Sequence, residues 1–171
     1  MRKTQYKGKT PLHDAVIKGN KELAKLLVSR DPEVAYYNNK NGRNHEGNYP
    51  IHLACKNDSV DVVKEFLKIT PFPKEFLNKK GQNILHVAAD GNGNGNVVRY
   101  ILRQEKTLVE PLLNEMDEDG NHLCIGNKSW SFVAAFVLVR DKRVDSSIVN
   151  NENLTPYDIA EKTIQNSCRA I

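Results

Sequence analysis

At 171 residues, with 39% apolar and 27% charged positions, the chain is long enough for one compact domain or one short repeat array, with a modest core. A net charge of +4 is too mild to argue for a nucleic-acid binder. The three cysteines, Cys55, Cys124 and Cys168, are odd in number and far apart, which speaks against a disulfide framework and for a reducing interior.

The N-terminal "MRKTQYKGKT" is basic and has no apolar centre, so it does not read as a secretory signal. From Gly8, "GKTPLHDAVIKGNKELAKLLV" predicts a pair of short helices. Thr10 can cap the first, and Pro11 falls in its opening turn, where a missing N–H costs nothing. Gly19 breaks the chain, and Leu23, Leu26 and Leu27 follow at helical spacing. A loop tip with Lys40, Asn41 and Arg43 comes next, just after Tyr36 and Tyr37.

"GNYPIHLACKNDSVDVVKEFL", from Gly47, repeats the pattern with Pro50, His52, a break at Asn57-Asp58, and Val62, Val63, Phe66 and Leu67. Gly42 and Gly47 both look like repeat starts, yet no helix pair fits between them. The segment resembles the junction left where whole repeats have been lost. "GQNILHVAADGNGNGNVVRYIL", from Gly81, supplies His86 and then Val97, Val98, Ile101 and Leu102. Its "GNGNGN" reads as a lengthened turn between helices, because a dinucleotide loop needs a strand before the glycines.

An acidic stretch follows, with Glu110, Glu115, Asp117, Glu118 and Asp119. It is read as a solvated surface or, more sharply, as part of a polarised contact face. "GNHLCIGNKSW", from Gly120, clusters His122, Cys124 and Trp130 but reads as a damaged helix start, with Ile125 where the repeat histidine belongs. Thr-Pro-Leu-His-Leu read one nucleotide out of frame yields His-Leu-Cys-Ile, so a local frame shift is the expected cause. "FVAAFVLV" completes that unit; its eight apolar residues fall well short of the roughly 20 a membrane helix requires. In "NENLTPYDIAEK", Asn153 replaces the glycine, Thr155 and Pro156 restore the start, and Tyr157-Asp158 suits a terminal cap.

His13, His52 and His86 each stand five positions after a glycine, 39 and 34 residues apart. A base period near 33 with insertions is that of ankyrin repeats. The expected fold is therefore an all-α solenoid of stacked helix-turn-helix units with hairpin loops. It forms a single domain, 1–171, with units at about 8–41, 47–80 and 81–119, a degenerate unit at 120–152 and a C-terminal cap at 153–171. Neither helix of a pair can bury its apolar face alone, so neighbouring units must stack.

Five stretches carry a closer likeness. "TPLHDAVIKGN", "VSRDPEVAYYNNKNG", "GNYPIHLACKNDSVDVVKEFL", "LLNEMDEDGN" and "VRDKRVDSSIVNNENLTPYDIAEK" resemble the plant ankyrin-repeat proteins of the accelerated-cell-death type. That resemblance implies a scaffold for other proteins, acting in defence and cell-death signalling. The ankyrin array is followed in that family by a membrane domain, and this sequence ends before one. The resemblance also implies that the repeat histidine bonds near its helix start and ties adjacent repeats.

Catalytic and metal chemistry find little support. His52 and Cys55 could offer two zinc ligands, but a structural site wants four, and the bland reading is a packed helix start. No nucleophile triad, carboxylate pair or phosphate loop emerges, so an enzyme, a cofactor and a small-molecule substrate are not expected. The repeat-defining set is Thr10, Pro11, His13, Pro50, His52, His86, Thr155 and Pro156. The candidate partner-binding surface joins Lys18, Lys56, Asn57 and Asp90 of the first helices with Tyr36, Tyr37, Lys40, Asn41, Arg43, Lys79, Lys80, Gln82, Glu118, Asp119 and Asn121 of the tips. Expected partners are proteins, among them related ankyrin membrane proteins; nucleic acid is not. The expected place is the cytoplasm, at the cytosolic face of the plasma membrane if the family holds. The alternative is a truncated or decayed relative with no function of its own.

Overall fold

The computed structural model describes residues 10–36, 47–70, 73–91, 93–123 and 132–155, with Asp158 and Glu161. Helix α1, Pro11–Ile17, begins at a reciprocal cap. The His13 N–H donates to the Thr10 hydroxyl oxygen at 3.3 Å, and the Thr10 N–H donates back to His13 Nδ1 at 3.1 Å. Gly19, at φ +68°, turns the chain into α2, Lys21–Arg30, whose N-cap Asn20 accepts from the Leu23 N–H. Helices α3, Pro50–Lys56, and α4, Val60–Ile69, repeat the pair, as do α5, Ile84–Ala89, and α6, Asn96–Leu102. Helix α7, Lys106–Leu113, and α8, Phe132–Val139, complete the described helices.

The pairs stack in two rows. Helices α1, α3 and α5 pack in series, while α2, α4, α6 and α8 form the second row behind them. Leu12, Ile51, Ala54, Ile84 and Leu85 fill the first row; Val63, Phe66, Val98 and Ile101 fill the second, all almost wholly buried. Burial of a ring such as Phe66 contributes roughly 1.5–3 kcal/mol, so each pair is held mainly by its neighbours. This is the all-α solenoid that the repeat period implies. Among the described residues the β-structure amounts to one isolated bridge, Met116 to His122.

Two local features differ from expectation. After α2 and α4 the chain makes brief 3₁₀ turns, Pro32–Tyr36 and Pro73–Glu75, but after α6 this place becomes the full helix α7. Its sequence explains the extension: Leu108, Val109, Leu112 and Leu113 share one helical face, and the last three are buried. In α2, Leu23 and Leu26 stay 41% and 51% exposed. Among the described residues that helix packs mainly on α1, α4 and the following 3₁₀ turn, and Ala24 and Val28 make its buried side.

Candidate protein-interaction face

The loop between helix pairs is built the same way three times, at 78–82, 117–121 and 150–154. In each, a leading Asn or Asp folds its side-chain oxygen over the backbone. Asn78 Oδ1 accepts from the Lys80 and Gln82 N–H groups, Asp117 Oδ1 from those of Asp119 and Asn121, and Asn150 Oδ1 from those of Glu152 and Leu154, all at 2.8–3.1 Å. The leading residue's own N–H donates to the carbonyl of the fifth, and the N–H of the fourth donates to the carbonyl of the first. That closure puts the fourth residue at positive φ: Gly81 at +68°, Gly120 at +71° and Asn153 at +59°. Glycine adopts such angles freely and asparagine at modest strain.

Successive tips touch. The Glu118 N–H donates to the Lys80 carbonyl at 2.8 Å, and a Cβ on Gly81 would stand only 3.0 Å from the Glu118 nitrogen. Lys79, Glu118 and Asp119 project into solvent, with Lys80, Gln82 and Asn121 half-buried beside them. The ridge therefore changes sign from Lys79-Lys80 to Glu118-Asp119 across one tip spacing.

Each repeat histidine joins its own helix start to the backbone of a loop that leads towards the following helices. His13 Nε2 lies 3.2 Å from the Asn48 carbonyl, His52 Nε2 3.1 Å from that of Phe76, and His86 Nε2 3.3 Å from that of Asn121. The backbone N–H groups of Thr10, Tyr49 and Asn83 donate to the three Nδ1 atoms. Nδ1 is thus the acceptor, which puts the proton on Nε2 for donation to the carbonyl. Burial lowers the His86 pKa to about 4 against partial opposition from its bond to Asn121, so the ring is neutral at ordinary pH. At the far end, Asp158 takes over the histidine's local role. Its Oδ2 accepts from the Thr155 N–H and hydroxyl at 2.7 and 2.6 Å, and its own N–H donates to the Thr155 oxygen.

The remaining candidates fall as follows. Pro11 and Pro50 occupy the first positions of α1 and α3. Lys18, Asn57 and Asp90 are the C-terminal caps of α1, α3 and α5, and Lys56 closes α3. They align along one end of the first-helix row, where the Asn57 amide donates to the Val16 carbonyl at 3.2 Å. Tyr36 is half exposed, but its ring lies 5.2 Å from Phe76, which meets Tyr49 edge-on at 5.0 Å. It belongs to an aromatic cluster. Tyr37, Lys40, Asn41, Arg43 and Pro156 lie outside the described residues, as do Gly42, Cys124, Ile125 and Trp130.

His52 and Cys55 do not make a metal pair. Both ring nitrogens of His52 face backbone partners, and burial, with a further contribution from the Asp58 charge, pushes the Cys55 thiol far above its ordinary pKa. In "GNGNGN" the Asn94 N–H and the Asn96 side chain donate to the Asp58 carboxylate, which also accepts from the Val97 N–H just after it. A Cβ on Gly93 would collide with the Asp58 side chain, and one on Gly91 with the Lys56 carbonyl. These glycines serve the close approach of two turns. The sequence reading missed the three Asx tips, although Asn78, Asp117 and Asn150, each three residues before a Gly or Asn, were signal enough.

Stacked helix pairs with projecting tips define a repeat solenoid whose exposed ridge is suited to contact with other chains. Comparison with known proteins agrees. A family model for ankyrin repeats in three copies matches residues 34–112, and one for a single ankyrin repeat matches residues 7–39. The chain belongs to the ankyrin-repeat family, whose repeats are protein-interaction modules. It is 31% identical over 99 residues to the nuclear factor NF-kappa-B p105 subunit of Gallus gallus, covering 58% of this chain and 10% of that protein. It is 30% identical over 135 residues to a putative ankyrin repeat protein of Rickettsia felis, covering 79% of this chain and 30% of that protein. The chain thus spans less than a third of either relative. The crystal structure of EF0377, an ankyrin repeat protein, superposes with a TM-score of 0.72 at 20% identity, covering 96% of this chain and 80% of that one. Among the described residues no helix is long and apolar enough to cross a membrane.

Proposed function

We propose that the chain is a non-catalytic scaffold that holds a partner protein against the ridge formed by its tips and the ends of its first helices. The observation that carries this is the regular stacking of the tips, which sets Lys79 and Lys80 beside Glu118 and Asp119 on one rigid edge. Lys18, Lys56, Asn57 and Asp90 extend the surface across the helix ends, and Tyr36, Gln82 and Asn121 supply its half-buried margin. A mixed ridge of this kind favours a partner segment of alternating charge and a salt-sensitive complex. The division into units of about 8–41, 47–80, 81–119 and 120–152, with a cap at 153–171, is part of the same proposal.

The five stretches that resemble the accelerated-cell-death type support a narrower reading. In it, the scaffold serves plant defence or cell-death signalling at the cytosolic face of the plasma membrane, by contact with membrane-anchored ankyrin relatives. The test is proximity labelling in plant cells with the wild-type chain, a Lys79→Glu/Lys80→Glu variant and a Lys64→Glu control on α4. Loss of labelled partners from the tip variant alone supports the ridge, and membrane-anchored ankyrin proteins among those partners support the narrower reading. A partner set unchanged by the tip variant overturns the ridge.

A further inference from the structure

The second-helix row carries a separate feature. Between α6 and α8 opens a cleft of about 370 Å³, with Leu102 and Val137 in its lining. Phe136 also lines it and is 53% exposed. Arg99, Arg103 and Arg140 surround these apolar groups. The Arg140 guanidinium sits 4.9 Å over the Phe136 ring, and Arg99 is steadied by donating to the Asn94 carbonyl at 2.9 Å.

The cleft's own carboxylate is spoken for. Asp141 accepts from Arg143 Nε and Nη2 at 2.9 and 2.7 Å, and the same guanidinium also donates to the Leu102 carbonyl. Among the described residues no carboxylate pairs with Arg99, Arg103 or Arg140. Three uncompensated guanidinium groups therefore ring a half-exposed aromatic. Guanidinium forks match carboxylates, and an apolar floor rewards a bulky apolar side chain laid over it.

We propose that this cleft binds an acidic segment of another protein, in which aspartates or glutamates flank one large apolar residue. The carboxylates engage the arginines, and the apolar residue covers Phe136 and Val137. The site is built from the second helices and does not depend on the ridge of tips.

The experiment is fluorescence anisotropy of the full chain with a fluorescein-labelled peptide of aspartate and glutamate around a central phenylalanine. Saturable binding is expected, weakening as salt is raised. Arg103→Glu and Arg140→Glu should each weaken it about fivefold, Phe136→Ser should weaken it as well, and Lys79→Glu/Lys80→Glu should leave it unchanged. Far-UV circular dichroism on each variant reports retention of the helices. Absence of saturable binding, equal binding by the arginine variants, or equally tight binding of inorganic polyphosphate overturns the proposal.

Discussion

Asp58, in the turn between α3 and α4, caps a helix of the following pair. Its Oδ1 accepts from the Val97 N–H at 2.7 Å, and its Oδ2 accepts from the Asn94 N–H and the Asn96 amide, both at 2.9 Å. The residue itself sits at φ +52°, where a side chain is strained. One carboxylate thus accepts from three groups of the lengthened turn and the helix start after it, and the backbone bends to place it there.

Three variants separate the two contributions. Asp58→Ala loses the bonds and keeps the strain, so about 2–3 kcal/mol of stability should go. Asp58→Gly loses the same bonds but relieves roughly 1 kcal/mol of strain, so it should fall between alanine and wild type. Asp58→Asn keeps one acceptor oxygen but turns an NH2 group towards the donors that the other oxygen served, so it should not restore wild-type stability. Urea midpoints with a common slope check the order; alanine and glycine variants of equal stability would show that the backbone carries no strain.

The tips give a stabilising prediction. Asn153 stands at φ +59° where the two preceding tips have glycine, so Asn153→Gly should raise stability by about 0.5–1 kcal/mol. The reverse change, Gly81→Ala, meets both the left-handed backbone and the Glu118 nitrogen at 3.0 Å. It should lower stability by about 2 kcal/mol or more. Thermal midpoints of the two variants, moving in opposite directions, test the pair together.

The helix pairs were legible because their determinants are local. Thr10, Pro11 and His13 fix a helix start within four residues, and each repeat histidine has a ring that reaches the backbone of a loop leading towards the following helices. What escaped the sequence reading depended on neighbours. The pattern of α2 marks Leu23 and Leu26 as apolar but says nothing of whether another helix covers them. Tyr36 has the composition of a contact residue, and its packing is decided by Phe76, forty positions later. Helix α7 is encoded in the spacing of Leu108, Val109, Leu112 and Leu113, yet it falls outside a template of two helices per unit. The Asx tips are equally local, each led by an Asn or Asp three residues before its Gly or Asn.

Stability should depend on pH through His86 and His122. Burial holds His86 at about 4 when folded, against about 6.5 in an unfolded chain. The unfolded state therefore binds more protons between those values, so stability is flat above about pH 6.5 and falls as pH drops towards 4. The full loss from this group is of order 3 kcal/mol, and His122, also lowered mainly by burial, steepens the slope. His86→Gln should be less stable at neutral pH yet lose part of that slope. A wild-type urea midpoint that stays constant across the window would mean that the folded protein accepts the proton on His86 without penalty.

Phe76 is where the rings that follow the first helix pair and open the second meet. It is 2% exposed, contacts Tyr36 at 5.2 Å and Tyr49 at 5.0 Å, and lends its carbonyl to His52. Phe76→Ala should cost about 3–5 kcal/mol through the cavity it leaves. Tyr36→Ala, at a half-exposed ring, should cost about 1 kcal/mol. The informative quantity is their coupling in a double-mutant cycle, expected at 0.5 kcal/mol or more for rings in contact. Such a coupling makes Tyr36 a clasp between the first pair and the rest of the stack, and any partner touching it would be reading an already immobilised ring. A coupling near zero would mean that the ring contact adds nothing to the fold, leaving Tyr36 to be explained by what binds it.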